Sequence, residues 1–161
     1  MPSLQFLKTV ELLIYDCDGV LTDNKVLVDG EGHEYAIFNR GDGYAISCLK
    51  KIGYKQIIVS TESNPIVKAR GEKLKLDVIH NTEDKESIVK EYCAKNNISL
   101  EKVMFIGNDL NDRDAMMAVG YRGCPMDAEP EILDISDWVS TKKGGDGVIR
   151  ELYREITKVA D

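Results

Sequence analysis

A doubly wound α/β fold is predicted by three features of the sequence. Short apolar runs of strand length alternate with segments of helical spacing along most of the chain. Four of these runs lead into unusual polar residues, the first into Asp16-Cys17-Asp18. A turn signal, Asp29-Gly30-Glu31-Gly32, separates two short β-prone runs close behind the first strand.

Glu11 to Tyr15 reads as a buried strand. Lys25 to Val28 and Glu34 to Phe38 alternate apolar and polar residues and predict a β-hairpin insertion. Gly43 to Lys51 has helical spacing at Tyr44, Ile46 and Leu49, with Gly53 as its C-terminal cap. Gln56 to Val59 predicts a strand and Pro65 to Lys75 a helix with Pro65 in its first turn. Asp77 to Ile79 is a short strand, and Lys85 to Lys95 a helix with Ile88, Val89, Tyr92 and Cys93 apolar. Val103 to Ile106 then reads as a strand and Asp112 to Val119 as a helix. Tyr121 to Cys124 and Trp138-Val139 are short strands, and Val148 to Val159 is a closing amphipathic helix. Such alternation implies a Rossmann-like parallel sheet with helices on both faces. Ligands in such sheets sit beyond the carboxyl ends of the strands, at the topological switch point.

The chain has 161 residues, the size of one ordinary domain, so residues 1–161 are expected to form a single domain without a separate cap. Hydrophobic residues at 43% and charged residues at 30% fit a globular protein. Lys and Arg number 21 against 28 Asp and Glu, a net charge of -7. An acidic chain without a basic run argues against nucleic acid or an anionic membrane as partner. Cys17, Cys48, Cys93 and Cys124 have no metal-ligand or redox spacing and are expected as reduced core thiols. His33 and His80 are isolated, which argues against zinc. With no signal-peptide pattern and no membrane-length run, the cytoplasm is the expected location.

The chemistry is concentrated at the strand ends. Two aspartates one residue apart after a buried strand raise each other's pKa unless a cation intervenes. Ser60-Thr61-Glu62, His80 with Asp84-Lys85, and Gly107-Asn108-Asp109-Leu110-Asn111-Asp112 follow the other strands. A parallel sheet brings these groups to one edge as phosphoryl-transfer equipment. Asp16, Asn108, either Asp109 or Asp112, and a carbonyl near Asp18 can hold Mg²⁺, a hard cation that takes oxygen ligands. Asp16 can attack phosphorus and form an aspartyl phosphate. Asp18 can protonate the leaving alcohol and then take a proton from water. Ser60 and Lys85 can stabilise phosphoryl charge. Taken singly, each piece has an ordinary use: Asp-x-Asp in turns, Ser60 as a helix cap, Lys85 as a solvated helix residue. Their order, each after an apolar strand, favours catalysis.

These residues resemble the haloacid dehalogenase superfamily. Asp16-Cys17-Asp18-Gly19-Val20 is similar to its first motif, Ser60 to the second, Lys85 to the third and Gly107–Asp112 to the fourth. Nearly the whole chain resembles the capless branch that acts on 3-deoxy-D-manno-octulosonate 8-phosphate and related 2-keto-3-deoxy sugar-acid phosphates. Phe38-Asn39-Arg40-Gly41-Asp42-Gly43 and Lys143-Gly144-Gly145-Asp146-Gly147-Val148-Ile149-Arg150-Glu151 belong to that likeness. The resemblance implies a homotetramer whose hairpins pack together and whose neighbouring subunits close each site. It also implies substrate-binding roles for Thr61, Glu62, Arg70, Lys73 and Arg40, and metal-binding roles for Asp16, Asp18, Asn108 and Asp109.

Two departures from the pattern bear on function. Asn108 stands where many relatives place an aspartate, which removes one negative charge from the metal site. Glu62 stands where octulosonate phosphatases usually carry arginine, and with Arg70 and Lys73 it is similar to relatives acting on nonulosonate 9-phosphates. The expected substrate is therefore a sialic-acid-type 9-phosphate. Octulosonate 8-phosphate is the alternative, as is a silent oligomerisation domain like the one fused to CMP-sialate synthetases. A phospho-acceptor receiver domain is a further class, but receivers place the acceptor aspartate after a later strand.

Overall fold

In the computed structural model, which describes residues 3–160, the strands in chain order are β1 (Leu12–Tyr15), β2 (Leu27–Val28), β3 (Glu34–Tyr35), β4 (Lys55–Val59), β5 (Asp77–Ile79), β6 (Val103–Ile106), β7 (Tyr121–Cys124) and β8 (Trp138–Val139). The helices are α1 (Arg40–Lys51), α2 (Ile66–Leu74), α3 (Lys85–Lys95), α4 (Arg113–Ala118), α5 (Pro130–Ile135) and α6 (Val148–Ala160). Six strands form one sheet in the order β5-β4-β1-β6-β7-β8, with every neighbouring pair parallel. The chain winds outward from β1 to β4 and β5, then crosses back to β6 on the other side. The switch point therefore lies at β1, and the ends of β4, β1 and β6 adjoin there.

Alternation along the strands explains the two layers. Leu13, Tyr15, Ile58, Met104 and Ile106 face one side, where α1, α6 and Leu7 of a short N-terminal helical turn cover them. Leu12, Ile14, Ile57, Val59, Val103 and Phe105 face the other, against α3, α4 and α5. All four β1 residues are buried, as expected of a strand covered on both faces. The doubly wound α/β expectation holds. All four cysteines are unpaired. Among the described residues no helix is long and apolar enough to cross a membrane.

Several boundaries differ, each for a local reason. α1 starts at Arg40 rather than Gly43, because Asn39 Oδ1 accepts the N–H groups of Gly41 and Asp42 at 2.7 and 3.3 Å. α2 stops at Leu74, since Lys75 takes the left-handed conformation at φ 57°. α4 starts at Arg113, after a tight turn over Leu110–Asp112. α5, with Pro130 in its first turn, has no counterpart in the sequence reading. The hairpin ladder shrinks to Leu27–Val28 against Glu34–Tyr35. Its arm leaves Leu27 71% and Ile37 82% exposed.

Gly71 shows how closely α2 lies on β5. A Cβ there would stand 1.9 Å from Val78 Cγ2. Alanine ordinarily stabilises a helix interior over glycine by about 1 kcal/mol, whereas overpacking costs about 1–3 kcal/mol. Gly71→Ala is therefore expected to lower stability in urea unfolding, against helix propensity. A more stable variant would contradict this packing.

Candidate active site

The catalytic-looking residues are placed by three adjoining strand ends. Asp16 follows β1, and its N–H donates to Ile106 O at 2.9 Å, which extends the β1–β6 ladder by one residue. The chain then turns tightly through Cys17–Leu21, where Gly19 has φ +89°. A Cβ at Gly19 would fall 2.1 Å from Asn108 Nδ2, so glycine permits both the turn and the approach of the β6 loop. Ser60 follows β4 and is buried; its Oγ accepts the Glu62 N–H at 3.1 Å, which leaves its own proton free to donate.

Lys85 begins α3, after Asp84, whose Oδ1 accepts the Ser87 N–H at 3.0 Å as the helix cap. Its Nζ donates to Asp16 Oδ1 at 2.8 Å and to Asp112 Oδ1 at 2.6 Å. The other Asp112 oxygen accepts the N–H groups of Asn108 and Asp109 at 2.9 and 3.3 Å. Asp112 thus ties the lysine to the β6 loop from a fully buried position. The sequence offered Asp109 and Asp112 as alternatives at the metal. In the structure Asp109 Oδ1 instead accepts the Leu110 N–H at 2.6 Å as a turn cap. Asp112 works from beneath the site, and the signal for that role was its place four residues after Asn108.

Electrostatics follow from this burial. Burial raises the Asp16 carboxyl to about 8, with Asp112 adding to the rise, against the pull of Lys85 and the Cys17 N–H. Burial disfavours the Lys85 ammonium, yet Asp16 and Asp112 outweigh it and hold its pKa above the ordinary range. Asp18 is half-buried and also raised, first by burial and then by the nearby Glu62. The thiol of Cys17 is pushed far up by burial and by Asp18 and Asp16, so it is a packed, unreactive group.

The oxygens suit a hard cation. The Asn108 amide atom facing the cluster lies 2.8 Å from the Asp18 carbonyl oxygen and 3.0 Å from Asp16 Oδ2. Turned one way, the amide nitrogen donates to both; turned the other, three oxygens converge with no proton between them. Adjacent ligands in an octahedron with bonds of about 2.1 Å stand roughly 3 Å apart, which both spacings of the Asn108 amide match. Among the described residues no three His, Cys, Asp or Glu side chains form a metal cluster, because this donor set mixes a carboxylate, an amide and a peptide carbonyl.

The candidate substrate residues fall into two groups. Thr61 and Glu62 lie beside Ser60; Thr61 Oγ1 stands 3.4 Å from Asn111 Nδ2, and Glu62 Oε1 accepts the Asn64 N–H at 2.8 Å. Arg40, Arg70 and Lys73 line a separate cavity of about 500 Å³ that shares no lining residue with the Asp16 cluster. Arg70 lies over the Phe38 ring, 5.0 Å from its centroid, and its Nε is buried without a partner.

Comparison with known proteins matches this geometry. Residues 44–152 fit the haloacid dehalogenase-like hydrolase family. The chain belongs to the haloacid dehalogenase-like hydrolases. It is 31% identical to the 3-deoxy-D-manno-octulosonate 8-phosphate phosphatase of Yersinia pestis over 98% of this chain and 85% of that one. A structure of the Yersinia pestis phosphatase superimposes with a TM-score of 0.92, covering 96% of this chain and 84% of that chain. The Moraxella catarrhalis phosphatase of the same name, solved with magnesium ion, phosphate ion and KDO, gives 0.92 at 29% identity over 96% of this chain and 90% of that one. N-acylneuraminate cytidylyltransferase A of Danio rerio is 29% identical over 92% of this chain, which spans 35% of that protein. These likenesses place the hydrolase in the octulosonate-phosphatase-like branch.

The raised Asp16 pKa couples metal to protons. Between the unfolded value of 3.8 and about 8, folded metal-free protein holds a proton that the unfolded chain has released. Asp16 therefore lowers metal-free stability as pH rises through that window. Mg²⁺ displaces the proton, so its apparent affinity is expected to rise by up to tenfold per pH unit from 6 to 8, with a larger Mg²⁺-induced Tm gain at pH 8. Titration calorimetry and thermal melts check both; a pH-independent affinity would contradict the linkage.

Proposed function

We propose that this hydrolase is a Mg²⁺-dependent phosphatase of phosphorylated 2-keto-3-deoxy sugar acids that works through a phospho-Asp16 intermediate. The observation that carries the reading is the Asp16 carboxylate, held by Lys85 on one oxygen and facing with the other the Asn108 amide, which also lies against the Asp18 carbonyl. Asp16, the Asp18 carbonyl and Asn108 would hold Mg²⁺, while one Asp109 oxygen is engaged in its turn hydrogen bond. The bound ion supplies positive charge that lets an anionic phosphate approach an acidic site.

A carboxylate oxygen of Asp16 forms the new bond to phosphorus as the ester bond to the sugar breaks. Asp18, whose raised pKa favours a held proton, gives it to the departing sugar oxygen. Water then attacks the same phosphorus and Asp18 takes its proton. The Asp16–phosphorus bond breaks, which restores the free carboxylate and releases inorganic phosphate. Ser60 Oγ–H and Lys85 Nζ stabilise the phosphoryl oxygens during both transfers.

Within this class we infer a nonulosonate 9-phosphate as substrate. Glu62 beside Ser60 supports this reading, as does the likeness to an N-acylneuraminate cytidylyltransferase. Arg70 and Lys73 would meet the sugar carboxylate from a neighbouring copy in a homotetramer. The exposed apolar hairpin supports that assembly, since a two-residue ladder is marginal alone. The octulosonate 8-phosphate reading is favoured instead by the name of the Yersinia pestis relative. A cytoplasmic place fits a substrate of this kind.

Asp16→Asn is expected to abolish phosphate release while leaving the circular dichroism spectrum intact. Lys85→Met should lower kcat by about 100-fold or more, the scale of losing a charge-stabilising donor. Full turnover in Asp16→Asn would defeat the mechanism. In a kinetic comparison of the two sugar acids, the nonulosonate 9-phosphate should show the higher kcat/KM, with Glu62→Arg narrowing the gap. An octulosonate preference would select the second reading, and no Mg²⁺-dependent hydrolysis of either would mark a silent assembly domain. Light scattering should report a tetramer that Ile37→Asp weakens.

A further inference from the structure

Asp42, in the first turn of α1, is 2% exposed and belongs to none of the groups that face the phosphate site. Its Oδ1 accepts the N–H of Arg150 at 2.9 Å, the N–H of Ile149 is near enough to favour the charged carboxylate, and its buried Oδ2 has no hydrogen-bond partner. Those two groups are the second and third N–H of α6, which lack partners within the helix. The residue before α6 is Gly147, at φ +100°, with no side chain to cap them. Asp42 therefore supplies from α1 the capping carboxylate that the chain lacks at Gly147. The Arg150 guanidinium stacks over Tyr44 of α1, 4.6 Å from the ring centroid, and closes the same junction.

The strap entering α6 presses on the catalytic loop. Gly145 N–H donates to Val20 O at 3.0 Å. A Cβ on Gly144 would lie 2.1 Å from Gly19 O, and one on Gly145 would lie 2.7 Å from Asp23 N. Gly19 in turn follows Asp18 and abuts Asn108. A continuous set of contacts thus runs from Asp42 through the α6 N-terminus and the glycine strap to the two loops that carry Asp18 and Asn108. The far end of the strap is fixed separately: Gly144 N–H donates to Asp127 Oδ1 at 2.9 Å, and the Ser140 and Thr141 hydroxyls donate to Glu151.

We propose that Asp42 is a positioning residue: by capping α6 across the fold it seats the Gly144-Gly145 strap against Gly19, and so sets the placement of Asp18 and Asn108. This rests on the phosphatase reading for its kinetic consequence, and on geometry alone for its structural one. Burial pushes the Asp42 carboxyl up to about 6 despite the two N–H groups, which is the cost of placing a carboxylate there for a cap.

The test compares Asp42→Ala, Asp42→Asn and Ile156→Ala, the last a buried α6 residue remote from the strap in sequence. Readouts are Mg²⁺-dependent hydrolysis of p-nitrophenyl phosphate and the ¹⁵N–¹H resonances of Gly19 and Gly145. Asp42→Ala should move both resonances and lower kcat about tenfold, with KM within about twofold. Asn caps as well as Asp, so Asp42→Asn should restore both readouts. Ile156→Ala should lower Tm without changing either. If Asp42→Ala does not fold, Asp42→Glu, which shifts the carboxylate by one methylene, is read in its place. Lost stability with unchanged kcat and unmoved glycine resonances would overturn the proposal, as would Asp42→Asn behaving like Asp42→Ala. If the wild type hydrolyses neither this ester nor either sugar-acid phosphate, the phosphatase reading has failed separately. The resonances then decide: moved peaks sustain the link and unmoved peaks overturn it.

Discussion

The ammonium of Lys85 is the interaction on which the carboxyl edge of the sheet depends. Its side chain is 1% exposed and bridges Asp16 and Asp112, two buried carboxylates on loops from different strands. Without it both would be uncompensated charges in an apolar setting, where the loss of one partner costs several kcal/mol. Because Asp112 also receives the N–H groups of Asn108 and Asp109, one side chain from α3 fixes the β1 and β6 loops together. One positive charge does not balance two carboxylates with Asp18 alongside. Burial first, and the Asp112 charge second, raise the Asp16 pKa against the pull of Lys85. A divalent cation held at the Asp16–Asp18–Asn108 oxygens, as proposed, would make up the difference and let an acidic protein accept an anionic phosphate.

Close backbone approach does the remaining work. Gly107 sits so near Asp112 that a Cβ would fall 2.7 Å from the Asp112 Cβ, just as Gly19 makes room for Asn108 and Gly144 for Gly19. Short polar side chains thereby reach one spot from three strand ends, without long flexible linkers whose ordering would cost entropy. The sheet supplies direction, since parallel strands all deliver their ends to the same edge.

Much of this was legible in the sequence, and the exceptions have physical causes. β5, β6, β7, β8 and α3 have the expected limits because their apolar patterns start and stop at clear polar or turn residues. The start of α1 was hidden because Gly41 and Gly43 break the helical pattern, while the Asn39 cap that overrides them is a short-range hydrogen bond. α5 has six residues, with Ile132 buried and Leu133 and Ile135 partly buried, and is too short to show a period. Asp16, Ser60, Lys85 and Asn108 were readable because each follows an apolar strand. The pairing of Asp112 with Lys85 and the α6 cap by Asp42 were not, since each depends on a partner far away in the chain. Arg70 and Lys73 lie together on α2 as their helical spacing suggests, joined by Arg40 of α1, but in a cavity whose lining is separate from the Asp16 cluster.

The covalent role of Asp16 is the central claim, and acid-quenched mass spectrometry tests it most directly. Enzyme mixed with Mg²⁺ and a turned-over sugar-acid phosphate, stopped within one turnover, should carry one added phosphoryl group on the peptide containing Asp16. The label should vanish as inorganic phosphate appears. Phosphate release at full rate with no phosphorylated Asp16 at any time would contradict the account.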